Sequence, residues 1–187
     1  TTLQYTYSEA KANGLHDAAS VGQDADLAPT YEYTMSFDRT HDIAASFYTY
    51  LPFGINAGLT YFYMTGFPFT PDRLLQGATA PSSDSGNPFS ERAQDYQKID
   101  ISFSKFLKFK NTKIALGLNV YNLFNHENVN QVHPLTGSPD NPGSFYFEDG
   151  QLDTPSNTGE HSSGYYDRPW YFSTPREINF FVRFDFN

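Results

Sequence analysis

Cysteine is absent and tryptophan occurs once, so neither a disulfide framework nor a thiolate metal centre is available. Basic residues are scarce: 12 Lys and Arg face 21 Asp and Glu, for a net charge of −9. That balance argues against nucleic acid as a partner, because a phosphate backbone demands a basic footprint. Long apolar runs are missing too. The longest is Tyr61 to Met64, four residues, so no membrane-spanning helix is encoded. The chain does not open on a basic segment followed by an apolar stretch, so no signal peptide is visible. Helical periodicity is nearly absent. What is abundant is aromatic: 14 Tyr and 18 Phe, too many for a disordered tail. A mean hydropathy of −0.55 would ordinarily describe a soluble protein, but an average hides how the residues alternate.

Period-2 alternation runs through six segments: Thr2 to Ala10, His41 to Leu51, Ile55 to Thr65, Gln97 to Lys108, Lys113 to Phe124 and Glu177 to Phe186. In the last, Ile178, Phe180, Val182, Phe184 and Phe186 share one face, and Glu177, Asn179, Arg183 and Asp185 the other, with Phe181 the exception. In the fifth, Ile114, Leu116, Leu118 and Val120 oppose Ala115, Gly117, Asn119 and Tyr121. The fourth sets Ile99, Ile101, Phe103 and Leu107 against Lys98, Asp100, Ser102 and Ser104. The third sets Ile55, Ala57, Leu59, Tyr61 and Tyr63 against Asn56, Gly58 and Thr60. Each strand therefore carries one apolar and one polar face.

The connections alternate between short and long. Pro52-Phe53-Gly54 and Phe109 to Thr112 are tight, whereas residues 11–40, 66–96 and 125–176 are long. Loops beyond about 12–15 residues are uncommon in compact domains. Outer-membrane β-barrels have short periplasmic turns and long extracellular loops, which accounts for such asymmetry. Strand length agrees, since 11 residues at about 3.3 Å, tilted by about 45°, give roughly 25 Å of height, the apolar band of such barrels. The long loops hold most of the acidic residues, while Lys105, Lys108, Lys110 and Lys113 bracket one short turn. Lys105 can snorkel its ammonium towards the interface. Tyr61, Tyr63, Tyr121 and Phe124 lie towards the long loops, and Tyr50, Phe53 and Phe109 near the short turns, as two aromatic girdles. The expected fold is all-β, an antiparallel transmembrane β-barrel; the rival is a soluble antiparallel sandwich. Six strands do not close a single-chain barrel, so either more strands precede Thr1, where the chain begins mid-strand, or several chains share one barrel.

Several motifs resemble a known family. Tyr96 to Asn125, YQKIDISFSKFLKFKNTKIALGLNVYNLFN, resembles the penultimate hairpin of TonB-dependent outer-membrane receptors. Thr174-Pro175-Arg176-Glu177-Ile178 through Phe186 resembles their closing strand. Asp38-Arg39-Thr40-His41-Asp42, Tyr50-Leu51-Pro52 and Thr65-Gly66-Phe67-Pro68-Phe69-Thr70 resemble their upstream run. The resemblance implies a barrel of about 22 strands around an N-terminal plug. Residues 1–187 would then be its last six strands, without the plug or the segment engaging the energising protein. The implied activity is import of a scarce nutrient (siderophore, vitamin, oligosaccharide or peptide) through the outer membrane of a Gram-negative-type bacterium. The implied partners are outer-membrane lipid and lipopolysaccharide, the plug, a TonB-type protein and the nutrient; no cofactor is implied. The long loops would be extracellular and the C-terminus periplasmic. Family chains end on Phe, whereas here Asn187 follows Phe186. A passive porin or structural barrel lacking a plug is the alternative.

Candidate chemistry is thin. Asp38, His41 and Asp42 sit at a strand rim where a barrel hydrolase would place catalytic groups, but spacing fixes no nucleophile or base. No catalytic residue is assigned; strand-end hydrogen bonding is the simpler reading. Asp24-Ala25-Asp26, Asp140-Asn141 and Glu148-Asp149 offer oxygens suited to calcium, without the spacing of a calcium loop. His16, His126, His133 and His161 lack metal-ligand spacing. Asn119, Asn122 and Asn125 read as amides satisfying strand-end backbone groups, with substrate or plug contact as the other reading. Arg183 and Asp185 face the inferred lumen and suit a barrel–plug network. The cluster Tyr165 to Phe172 offers stacking surfaces, and within it Arg168, Trp170 and Tyr171 are the substrate-binding candidates.

Overall fold

The computed structural model describes residues 1–13, 32–73, 82–83, 87–109, 112–143 and 168–186. Its strands are β1 (Thr2–Tyr7), β2 (Lys11–Asn13), β3 (Glu32–Thr34), β4 (His41–Leu51), β5 (Ile55–Met64), β6 (Pro68–Phe69), β7 (Asp72–Arg73), β8 (Ser82–Ser83), β9 (Glu91–Arg92), β10 (Tyr96–Phe109), β11 (Thr112–Tyr121) and β12 (Glu177–Phe186). The six long strands form one antiparallel sheet in the order β1-β4-β5-β10-β11-β12. Each long strand therefore pairs with its nearest long neighbour along the chain. β4 and β12 span the residues their alternation marks. β1 stops at Tyr7, short of Ala10, and β11 stops at Tyr121, short of Phe124. At Asn122 the backbone turns to φ 52, a left-handed conformation that Asn tolerates and a ladder does not.

Directly opposed residues share a face, so the register sorts the side chains. One lateral row reads Phe47, Leu59, Ile101, Val120, Ile178; the next reads Thr49, Ala57, Phe103, Leu118, Phe180; the next Leu51, Ile55, Lys105, Leu116, Val182. The intervening row, on the opposite face, is Tyr48, Gly58, Ser102, Asn119, Asn179. Charge follows the same division, with Lys105 the exception. Asp42, Lys98, Asp100, Lys108, Lys113, Glu177, Arg183 and Asp185 all fall on the second face, where Lys98 pairs with Asp100 at 2.9 Å and Arg183 with Asp185 at 3.2 Å.

The second face is less polar than alternation suggests, because Tyr48, Tyr50, Phe62, Phe106 and Phe181 also lie on it. Phe181, the exception in the last strand, lies opposite Gly117, where an added Cβ would stand 2.0 Å from its ring. The missing side chain is what lets the ring come so close to the neighbouring strand. Lys98 sits over the rings of Phe62 at 5.6 Å and Tyr121 at 5.8 Å. Register also corrects the girdle assignment. Tyr61, Tyr63 and Phe109 are on the apolar face, but Tyr50 and Tyr121, each one residue out of phase, are on the other, and Phe124 lies past the end of β11.

Among the described residues no second sheet or helix packs on either face: Leu3 is 72% exposed on the apolar face and Phe180 79%. β1 and β12 are the two edges and do not pair with each other, so the described strands form an open sheet and not a closed barrel. No described helix is long and apolar enough to cross a membrane, which says nothing about strands. The buried apolar cluster (Phe69, Ala93, Val129 and Val132, with Phe67 against it) is instead built by the long connections at one end of the sheet.

Candidate functional site

That end is more ordered than long loops require. The first connection prolongs the β1–β4 pair as a β2–β3 ribbon, and the second prolongs β5–β10 as the β6–β9 and β7–β8 ladders. Between the sheet and the first ribbon the ladder breaks, leaving the Ala10 amide without a strand partner. Asp38 fills the gap: its carboxylate accepts from Ala10 N at 2.7 Å, from Thr40 Oγ1 at 3.0 Å and from the Arg92 guanidinium. Arg92 also donates to Gly66 O at 2.9 Å and Thr40 Oγ1 at 2.9 Å. Beside it Arg39 donates to Thr65 O at 3.0 Å and lies over the Phe67 ring at 5.3 Å.

Asp38 is only 1% exposed. Desolvation, the largest single influence, pushes its carboxyl up. The Ala10 amide, Arg92 and Thr40 hydrogen bonds and the Arg92 charge together outweigh it and hold the group below the ordinary carboxylate range. Burial, and then the nearby Arg92 charge, lower the Arg39 value, partly offset by Asp38.

Gly66 ties the start of the second connection to its end. Its amide donates to Asp95 Oδ1 at 2.8 Å, and Tyr63 Oη donates to Asp95 Oδ2 at 2.7 Å. A Cβ on Gly66 would stand 1.8 Å from the Ala93 carbonyl oxygen. Gly66→Ala is therefore expected to force the two backbones apart and destabilise the fold by about 1–3 kcal/mol, read as a lower urea midpoint.

Asparagine amides finish the other strand ends. Asn128, 1% exposed, accepts from Gln97 N and donates to Gln97 O, both at 2.8 Å, and so replaces a strand neighbour where β11 has peeled away from β10. Asn122 exchanges two hydrogen bonds with the His126 backbone, each at 2.9 Å, and its own amide donates to Asp100 Oδ1 at 2.8 Å. Asn125 Oδ1 accepts from Arg176 N at 2.8 Å, tying the entry to β12. The strand-end reading thus describes Asn122 and Asn125, while Asn119 lies mid-strand on the charged face.

The rim trio does not converge. Asp38 is consumed by structural bonds; His41 stacks on Tyr5 and meets Tyr7 at a tilt, its Nδ1 3.0 Å from Tyr5 Oη; Asp42 lies on the opposite face of the sheet from His41. Among the described residues no three His, Asp or Glu side chains gather as metal ligands. Asp140 accepts from Ser138 Oγ, and Asn141 Oδ1 from the Gly143 amide. Asp24, Asp26, Glu148, Asp149, His16 and His161 lie outside the described residues, as do Lys110 and Asn187.

Arg168, Trp170 and Tyr171 do come together. The tight turn Pro169–Tyr171 brings the Arg168 guanidinium over the Tyr171 ring at 5.5 Å and the Trp170 ring at 5.8 Å. Tyr171 packs on His133 at 5.0 Å, and its carbonyl accepts from Asn130 N at 2.7 Å. Trp170 meets Tyr171 edge-on and stays 62% exposed. A cation beside an exposed indole suits an anionic or planar ligand. Tyr165, Tyr166 and Asp167 lie outside the described residues. No protein-family model, curated protein or solved structure matches the chain. Arg39, Arg92 and Asn128, central to this end, carry no local sequence signal, because their partners lie 26 to 54 residues away along the chain.

Proposed function

We propose that the chain is part of the wall of an outer-membrane β-barrel, and that the whole protein is an import receptor of the TonB-dependent kind. One observation carries the membrane reading: a six-stranded sheet whose charges, Lys105 apart, sit on one face and whose apolar other face has no described layer over it. In water that face would need a cover; against acyl chains it needs none. In lipid an unpaired strand edge is untenable, so the outer edges of β1 and β12 pair with further strands, which close the barrel. The order of motifs from Asp38 to Phe186 supports the receptor reading. The long connections then face outward and capture a nutrient, with Arg168 and Trp170 in contact with it. The short turns and the C-terminus face the periplasm, and a plug and an energising protein act through upstream sequence.

Residues 1–187 hold no cysteine, so once any cysteine outside them is replaced, single introduced thiols are unique reporters in the intact protein. An environment-sensitive label at Leu118→Cys is expected to be quenched by brominated acyl chains in reconstituted vesicles. The same label one residue on, at Asn119→Cys, should answer to aqueous quenchers. Equal aqueous access at both positions would sink the membrane reading. Energy-independent uptake by the intact protein would instead favour a porin.

A further inference from the structure

We propose that the apolar groove around Lys105 binds a glycerophospholipid, its acyl chains in the groove and its phosphate on the Lys105 ammonium. The inference rests on the lipid-facing reading of that face. The groove, about 320 Å³, runs over β10, β11 and β12 and is lined by Phe103, Leu116, Phe180 and Val182 beside Lys105. Among the described strand residues, Lys105 is the one Lys, Arg, Asp or Glu on the apolar face. Ile55 and Leu116 flank it laterally, and Phe103 and Leu107 along its own strand. The strand ion pairs, Lys98 with Asp100 and Arg183 with Asp185, are on the other side of the sheet.

An ammonium held against hydrocarbon without an anion is costly, so it reaches for the nearest one. Lys105 lies four residues before the end of β10 at Phe109. That is about 13 Å along the strand and roughly 9 Å of height after tilting. A four-carbon stem shortens the remaining gap to the headgroup layer on the short-turn side. The anion in that layer is the phosphodiester, and lysine binds phosphate as a point charge. Lys108 and Lys113, directly opposite each other at the same end, add positive potential there.

The intact protein, reconstituted in phosphatidylglycerol and phosphatidylethanolamine and then stripped with non-ionic detergent, is expected to retain phospholipid in native mass spectrometry. Lys105→Leu should cut that retention about tenfold and Lys105→Arg should preserve it. Diacylglycerol, which has the chains without the phosphate, should not compete. Unchanged retention in Lys105→Leu, or equal competition by diacylglycerol, overturns the site. A label at Val182→Cys separates the two ideas. Quenching by brominated lipid alongside unchanged retention removes only the phosphate site, whereas no quenching removes both the site and the membrane reading.

Discussion

Leu118→Arg is expected to cost the membrane-inserted protein about 2–4 kcal/mol, while Asn179→Arg on the adjacent strand costs about zero. The two positions differ in face. Leu118 lies in the row of Ala57, Phe103 and Phe180, away from the ends of its strand, where on the proposed membrane reading a charge would meet the hydrocarbon. Asn179 lies in the row of Ser102 and Asn119, and its amide already donates to Glu177, so a cation there gains a neighbouring carboxylate. Unfolding by urea from lipid vesicles measures both. A soluble protein in which some other layer covers the apolar face would also lose stability at Leu118. It would do so without vesicles, and its loss would not depend on acyl-chain length. Dependence on bilayer thickness is therefore the decisive readout, since a thinner bilayer brings Leu118 closer to the interface and shrinks the cost.

The sheet was legible because a strand's side-chain period is local. β4 and β12 begin and end at the residues where their alternation begins and ends. Two of the five pairings, β4 with β5 and β10 with β11, followed from tight turns, which leave adjacent strands little choice but to pair. Legibility failed where meaning depends on what lies across the ladder. Tyr50 and Tyr121 have the composition of a girdle, and only their phase puts them on the charged face. Phe181 looks like a break in the pattern until Gly117 is placed opposite it. The short ladders inside the long loops, such as Lys11–Asn13 with Glu32–Thr34, are too brief to show a period. At the candidate site, Arg168, Trp170 and Tyr171 could be grouped because a single turn holds them. The Asp38–Arg92 pair could not, because nothing near either residue announces a partner 54 residues distant.

Asp38→Ala is expected to destabilise the long-loop end by about 3 kcal/mol. Removing one member of a buried ion pair typically costs about 3–5 kcal/mol, because it strands the other charge. Here Arg92 keeps 34% side-chain exposure, which tempers that penalty, but the Ala10 amide also loses its acceptor. Asp38→Ala combined with Arg92→Ala should recover part of the loss, since no guanidinium is then left uncompensated; a strictly additive double variant would mean the pair contributes nothing of its own. The same contact sets a pH dependence. The Asp38 carboxyl is held below its ordinary value of about 3.9, so its stabilisation is full above that pH. It is lost as pH falls through the lower folded-state value, where protonation removes the charge facing Arg92 and weakens the acceptor for Ala10. Hydrogen exchange at the Ala10 amide, followed from pH 7 downward and corrected for intrinsic rates, should keep its protection until that acid range and lose it there. In Asp38→Ala the protection should be absent at every pH, while β10 and β11, which do not touch Asp38, keep theirs.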